Sequence, residues 1–228
     1  MSDRPGTGGG HSLFGRWLYG VLWIVCRAVG VSVFGVRARF AEPLPGRGGL
    51  IVLASHQSHL DPLLLGLACD RRLSSLARSS LYAFKPFGAV ITALDAIPID
   101  REASALVAMK KVIRRLEAGA AVVIFPEGTR TATGRLGELK SGFAVIAKRA
   151  GVPIVPVAIV GAWECWPKTR MVPRPGRIRL EFGRLIRPEQ IAAIDDRGLV
   201  AECAARLAEL DATARSVRHG ASVSGAET

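Results

Sequence analysis

Short apolar runs alternate with polar turns along most of the chain. Three runs are almost wholly apolar and rich in β-branched residues, namely 50–54 (LIVLA), 121–125 (AVVIF) and 154–160 (IVPVAIV). Runs of this length and composition are typical of strands that are buried on both faces of a sheet. We therefore predict three central strands. Further strands are predicted at 74–77 and 96–99, and an alternating edge strand at 177–182.

Segments with helical character lie between these strands. Residues 104–117 and 196–216 each carry an apolar stripe with a spacing of three to four residues. Two shorter helices are predicted, one opened by Asp61-Pro62 and running to about residue 68, the other at 141–150 and ended by Gly151. The pattern indicates an α/β fold with a mixed, largely parallel sheet flanked by helices.

The N-terminal region differs from the rest of the chain. Residues 1–12 resemble a flexible tail, and residues 13–40 form an apolar segment with aromatic residues near its front and interrupted by Arg27. The uninterrupted apolar stretch at 17–26 is only about half the length that a membrane span needs. An interfacial helix, a spanning helix and a core helix remain open. Because aromatic and arginine residues suit a headgroup-level anchor, we predict a membrane-associated helical segment.

Length and charge narrow the possible functions. The 228 residues suffice for one sizeable domain, which we place at 41–216, with a disordered tail at 217–228. The formal net charge of +12 favours anionic partners such as a phospholipid surface, phosphorylated substrates, coenzyme A or an acidic carrier protein. The basic residues are scattered and form no recognition motif for nucleic acid, so we predict no such partner. Cys26, Cys69, Cys165 and Cys203 are widely spaced, which predicts reduced thiols rather than a disulfide framework or a zinc site.

A polar turn with histidines follows the strand at 50–54. In open α/β sheets, functional groups gather at the carboxyl ends of the strands. His56 and Asp61 are separated by four residues, a spacing that lets the carboxylate orient the imidazole while the other ring nitrogen takes a proton. Each residue also has a structural alternative, Asp61 as a helix N-cap before Pro62 and His56 as a hydrogen-bonded turn residue. We expect His59, which lies closer to Asp61, to pack or hydrogen-bond locally.

The histidines do not predict a metal site. The spacing is His-x-x-His-x-Asp, and the only other histidines, His11 and His219, lie in the terminal segments. A closed set of ligands would be hard to complete from these residues.

Two further charged segments follow predicted strands. Residues 125–130 (FPEGTR) come after the strand at 121–125, where Pro126 ends the strand and Gly128 permits a tight turn. Arg101 follows the strand at 96–99 and offers a fork suited to phosphate, the alternative being a solvated surface arginine. Residues 152–157 are predicted to form an apolar wall.

Together these segments resemble the glycerolipid acyltransferase family, which includes the 1-acylglycerol-3-phosphate acyltransferases. His56-x4-Asp61 resembles the catalytic motif of the family, Asp100-Arg101 its second block, 125–130 its third and 152–157 its fourth, and Leu139 to Phe143 resemble the stretch that follows the third block. The resemblance covers about residues 36–188. The chain departs from the family at Ser55, where asparagine is usual, and at Pro98, where a large apolar residue is common.

The resemblance implies an enzyme that transfers a fatty acyl group from acyl-coenzyme A or acyl carrier protein to the hydroxyl of 1-acylglycerol-3-phosphate, giving phosphatidic acid. His56 would be the general base and Asp61 its orienting partner. Arg101, Arg130 and Lys140 would hold the acceptor phosphate, and Glu127, Gly128 and Thr129 would complete the acceptor site. Neither a metal nor a redox cofactor is implied.

Other acceptors remain open, namely glycerol-3-phosphate, another lysophospholipid or a lyso-ornithine lipid. A non-enzymatic membrane-binding protein is a further alternative. A lipid acceptor implies a peripheral or monotopic position on the cytoplasmic face of the inner membrane, with an anionic lipid surface as partner.

Overall fold

The computed structural model describes residues 32–78, 97–99 and 105–223. In chain order the elements are β1 (Arg37–Phe40), β2 (Leu50–Ala54), α1 (Asp61–Ala68), β3 (Leu73–Arg78), β4 (Ile97–Ile99), α2 (Ala105–Glu117), β5 (Ala121–Ile124), α3 (Gly142–Ala150), β6 (Ile154–Val160), α4 (Ala162–Cys165), β7 (Arg179–Phe182), α5 (Pro188–Ala192) and α6 (Asp196–Val223).

Within the described residues, seven strands form one sheet in the order β1-β7-β6-β2-β5-β3-β4. All neighbouring strands are parallel except β6 and β7, which are antiparallel. The strands from β6 to β4 therefore run in one direction, and β1 and β7 run in the other. This arrangement confirms the prediction of a mixed, largely parallel sheet flanked by helices.

The three central strands are β2, β5 and β6, and every residue in them is buried. Alternate residues of β2 enter two different cores. Leu50 and Val52 pack with Leu64 and Leu65 of α1, whereas Ile51 and Leu53 pack in a second cluster with residues of α2, α3 and α6. Because helices cover both faces, the strand is apolar throughout instead of alternating.

Two predictions about one edge of the sheet were wrong. The segment at 177–182 was expected to be an edge strand, but β7 lies between β6 and β1. The segment 13–40 was expected to be helical throughout, but its last four residues form β1, which takes the edge position. Its four residues, RARF, are all exposed, and the pattern is too short and too charged to indicate a strand. Pairing with β7 and stacking of Phe40 on Phe182, with ring centroids 4.1 Å apart, hold it there.

The terminal segments differ in how far the structure describes them. The flexible tail at 1–12 and most of the predicted membrane-associated segment, up to residue 31, lie outside the described residues. At the other end, α6 continues to Val223, so residues 217–223, predicted to be disordered, are helical. Within the described ranges, no helix combines the length and apolar character needed to cross a bilayer.

Three of the four cysteines lie in the part of the chain that the structure describes. Cys69, Cys165 and Cys203 are free thiols, as predicted, and all three are buried, which raises the pKa of each thiol. Cys26 lies outside the described residues.

Candidate active site

The His56 turn, residues 55–60, joins the carboxyl end of β2 to the first residue of α1. Nδ1 of His56 lies 2.8 Å from Oδ2 of Asp61, so the two predicted catalytic side chains form a hydrogen bond. Ser55, which stands where the family usually has asparagine, accepts a hydrogen bond from the backbone N–H of Ile159 at 2.9 Å. This bond fixes the start of the turn to the neighbouring strand β6.

The carboxylate of Asp61 is fully buried. Its Oδ2 also accepts hydrogen bonds from the backbone N–H groups of Gln57 at 2.6 Å and Ser58 at 2.8 Å. Burial raises the pKa of Asp61, and these hydrogen bonds oppose that shift. The N-cap of α1 is Leu60, and Asp61 makes no capping bond, so the capping alternative was wrong. Asp61 instead folds back onto the turn that precedes its own helix.

The imidazole of His56 stacks on Phe125, with ring centroids 3.9 Å apart and 15° between the ring planes. Because Asp61 accepts the hydrogen of Nδ1, Nε2 of a neutral ring carries the lone pair. Within the part of the chain that the structure describes, no hydrogen bond occupies Nε2, and the side chain is 19 % exposed. This nitrogen is therefore available to take a proton from a bound hydroxyl.

Glu127 supports the His56 turn from the segment after β5. One carboxylate oxygen accepts the backbone N–H of His56 at 2.8 Å, and the other accepts that of Gly137 at 3.4 Å. The side chain is 7 % exposed, and burial raises the pKa of Glu127 to about 7 against the opposing effect of these hydrogen bonds. Glu127 thus connects the turn that carries the base to the loop at residue 137.

Backbone contacts bring the rest of the third block to the same place. The N–H of Thr131 donates to the carbonyl of His56 at 2.8 Å, and that of Lys140 donates to the carbonyl of Pro126 at 2.9 Å. Gly128 has a φ of +70°, and an added Cβ would lie 2.9 Å from Nζ of Lys140. The ammonium group of Lys140 therefore lies against the glycine of this turn.

A cavity of about 790 Å³ opens beside these residues, which is within the usual range for a ligand pocket. Its lining includes four residues that the resemblance assigns to the acceptor site and one further lysine, Lys168. The four are Glu127, Thr129, Arg130 and Lys140. The structure thus brings Arg130 and Lys140 together, as the resemblance implies. Lys168 was not singled out from the sequence, because no motif surrounds it. Arg101 lies outside the described residues.

His59 has a partner that the sequence did not reveal. A guanidinium N–H of Arg130 donates to Nε2 of His59. The imidazole also contacts Trp166, with ring centroids 5.4 Å apart. Partial burial and the positive charge of Arg130 lower the pKa of His59, which favours the neutral ring that can accept this hydrogen bond. His59 therefore orients the guanidinium of Arg130 at the wall of the cavity.

Gln57 is a second residue that sequence reasoning missed. Its buried amide donates to the carbonyl of Gly134 at 3.0 Å and accepts the N–H of Trp163 at 3.4 Å. Arg215 of α6 donates to the same carbonyl of Gly134. The amide joins the His56 turn to a distant loop and to α4, and nothing in the sequence distinguishes it from other polar turn residues.

A protein-family model described as Acyltransferase matches residues 35–160. The chain belongs to the acyltransferase family. Over 191 residues this acyltransferase is 30 % identical to a 1-acyl-sn-glycerol-3-phosphate acyltransferase of Pseudomonas aeruginosa, covering 80 % of this chain and 72 % of that protein. It is also 30 % identical over 168 residues to the protein of the same name from Bacillus subtilis, covering 71 % of this chain and 83 % of that one.

The fold of this acyltransferase also has a counterpart among solved structures. The crystal structure of a 1-acyl-sn-glycerophosphate acyltransferase from Thermotoga maritima matches with a TM-score of 0.72 at 23 % identity, over 89 % of this chain and 82 % of that one. The family match contains the His56 turn and residues 125–130, and it confirms the predicted resemblance. Lys168 lies beyond the matched range.

Proposed function

We propose that this acyltransferase moves a fatty acyl group from acyl-coenzyme A or acyl carrier protein to the hydroxyl of 1-acylglycerol-3-phosphate, giving phosphatidic acid. The observation that carries the proposal is the hydrogen-bonded pair of His56 and Asp61 beside a cavity lined by Arg130 and Lys140. The names of the relatives in Pseudomonas aeruginosa and Bacillus subtilis support the same acceptor.

The proposed reaction needs one base and no covalent intermediate on the enzyme. Nε2 of His56 takes the proton of the acceptor hydroxyl while the oxygen attacks the thioester carbonyl. Asp61 holds the proton on Nδ1 and stabilises the imidazolium that forms. Collapse of the tetrahedral intermediate breaks the carbon–sulfur bond, and the leaving thiolate takes the proton from the imidazolium. Because a thiolate leaves readily, the scheme calls for neither a metal nor a redox cofactor.

The phosphate of the acceptor would bind to the cationic wall of the cavity. Arg130 offers a planar fork for two phosphate oxygens, and Lys140 adds a point charge beside Gly128. Arg101 is proposed as a third cation, as the resemblance implies. Thr129 lines the cavity, and Glu127 shapes it by holding the His56 turn through the backbone N–H of His56.

The proposed substrates also determine where the enzyme works. The acceptor and the product reside in a bilayer, whereas the thioester arrives from water. We therefore propose a peripheral or monotopic position on the cytoplasmic face of the inner membrane.

An acceptor panel tests the function directly. Purified protein would be given radiolabelled acyl-coenzyme A or acyl carrier protein with 1-acylglycerol-3-phosphate, glycerol-3-phosphate, another lysophospholipid or a lyso-ornithine lipid. We expect phosphatidic acid as the main product. A clear preference for another acceptor would contradict the proposal and identify the alternative.

A pair of histidine variants tests the mechanism. His56→Ala should lower kcat/KM by about 10²–10⁴-fold, the usual contribution of a general base, while the circular dichroism spectrum stays unchanged. His219→Ala, a histidine with no part in the scheme, serves as the control. Full activity in folded His56→Ala would refute the mechanism.

A further inference from the structure

The connection between α4 and β7 carries an exposed apolar tip. Residues 166–177, here named the Met171 loop, place Met171 and Val172 at 93 % and 68 % exposure. The same loop contains four basic residues, Lys168, Arg170, Arg174 and Arg177, and no acidic one. An apolar tip between cations is the composition of a segment that contacts a bilayer surface.

Hydrogen bonds hold this loop in a defined shape. The indole N–H of Trp166 donates to the carbonyl of Arg170 at 2.9 Å, and the backbone N–H of Arg174 donates to the carbonyl of Cys165 at 2.9 Å. Nε of Arg174 also donates to the carbonyl of Glu164 at 2.7 Å. The exposure of Met171 and Val172 therefore results from a built turn.

The base of the loop contacts the candidate active site. Oγ of Ser58 in the His56 turn donates to the carbonyl of Trp166 at 2.7 Å. Lys168 lines the same cavity as Arg130. A surface that touched the tip of the loop would therefore lie close to the acceptor cavity.

The other end of the loop contacts the place where the N-terminal segment enters the domain. The N–H of Gly176 donates to the carbonyl of Val33 at 3.3 Å, and that of Ile178 donates to the carbonyl of Phe34 at 3.0 Å. Val33 is itself 39 % exposed. The sequence predicts membrane association for residues 13–40, so the predicted anchor joins the domain next to this loop.

We propose that the Met171 loop docks on the surface of an anionic phospholipid bilayer, with Met171 and Val172 among the acyl chains and Arg170 at the headgroup phosphates. The proposal rests on the proposed function, because it explains how a lipid acceptor passes from the bilayer to the cavity. An acidic carrier protein could pair with the same cations. The apolar tip and its position beside Val33 favour the bilayer.

A fluorescent label on the loop tests the contact directly. The full-length protein would carry Cys26→Ser and Met171→Cys labelled with an environment-sensitive dye, since Cys69, Cys165 and Cys203 are buried. We expect a blue shift with vesicles that contain phosphatidylglycerol and a smaller one with phosphatidylcholine alone. A label at Leu106→Cys on α2, a residue with the same 68 % exposure as Val172, should respond to neither.

Vesicle sedimentation measures the contribution of each part of the loop. Met171→Asp combined with Val172→Asp should weaken binding to the anionic vesicles by roughly tenfold or more, because two apolar side chains leave the acyl region. Arg170→Gln should weaken it by about fivefold, less at high salt. Leu106→Asp and Arg114→Gln on α2 are the matched controls and should bind as the wild type does.

The outcomes separate docking from catalysis. The docking proposal would be overturned if the spectrum of the label at position 171 did not change with vesicles. It would also be overturned if the label responded to acyl carrier protein and not to vesicles. Equal binding by the wild type and the Met171/Val172 double variant would do the same. On a short-chain, water-soluble acceptor the double variant should turn over as the wild type does. If the wild type docks but forms no phosphatidic acid, the proposed function is wrong and the docking surface stands.

Discussion

Replacing Asp61 by asparagine separates the charge of this side chain from its hydrogen-bonding geometry. The backbone N–H groups of Gln57 and Ser58 lie 2.6 and 2.8 Å from Oδ2, so an amide nitrogen in that position would face two donors. The oxygen of Asp61→Asn must therefore take the place of Oδ2. It can still accept the hydrogen of Nδ1 of His56, which keeps the lone pair of the ring on Nε2. The variant loses the negative charge and retains the tautomer.

The size of the loss follows from the distance between the two side chains. At close contact and an effective dielectric constant near 20, an imidazolium and a carboxylate attract each other by about 4 kcal/mol. The amide dipole replaces part of this attraction, which leaves about 2–3 kcal/mol, equivalent to a fall of roughly 30–150-fold in kcat/KM.

Stability should change less than activity in this variant. The new amide nitrogen would occupy the site of Oδ1, which is buried and has no hydrogen-bond partner among the described residues. An unsatisfied buried donor costs about 1–3 kcal/mol, and removal of a buried charge offsets part of that cost. Urea unfolding would measure the difference.

Two comparison variants complete the test. Asp61→Ala removes the acceptor as well as the charge. We expect kcat/KM to fall by about a further tenfold, because the tautomer of His56 is no longer fixed. Asp196→Asn disrupts the more exposed pair with Lys148, which has the same 2.8 Å separation, and should leave activity unchanged. Wild-type activity in Asp61→Asn would refute the charge argument, and equal losses in the two Asp61 variants would refute the tautomer argument.

Three further predictions concern the residues around the base. The pKa of Glu127 is about 7 in the folded protein, compared with an ordinary value of 4.5. Between these two pH values the folded state keeps a proton that the unfolded state has lost, so the free energy of unfolding falls as the pH rises through that window. Glu127→Gln should remove this fall of about 3 kcal/mol, measured by urea unfolding at intervals across that window. Gly128→Ala should cost about 1–2 kcal/mol for its left-handed backbone and raise KM for the acceptor more than for the thioester, because it displaces Lys140. Gln57→Leu leaves the carbonyl of Gly134 to Arg215 but takes the acceptor away from the N–H of Trp163, and we expect a loss of about 1–3 kcal/mol in unfolding free energy, with a lower kcat and little change in KM. Wild-type values for any of these variants would contradict the role given to that residue.

The sequence determined the elements whose signals are local. The strands at 50–54 and 154–160 have the predicted bounds because a strand buried on both faces must be apolar throughout. The helix at 142–150 ends at Gly151, whose φ of +61° glycine adopts without strain. His56 and Asp61 lie close together in the chain, so one turn suffices to join them. The motif therefore predicted their hydrogen bond.

Only the tertiary structure decided which distant segments meet. Strand β2 lies between β5 and β6, and all three are parallel, so the loops that follow them begin at the same edge of the sheet. That order brings Glu127 to the backbone of His56 across 71 positions of sequence. It also brings Arg130 to His59 and places Lys168 in the cavity. Hydrophobic periodicity reports how each segment is buried. It carries no information on strand order, and for that reason β1, Gln57 and the Met171 loop could be recognised only in the folded chain.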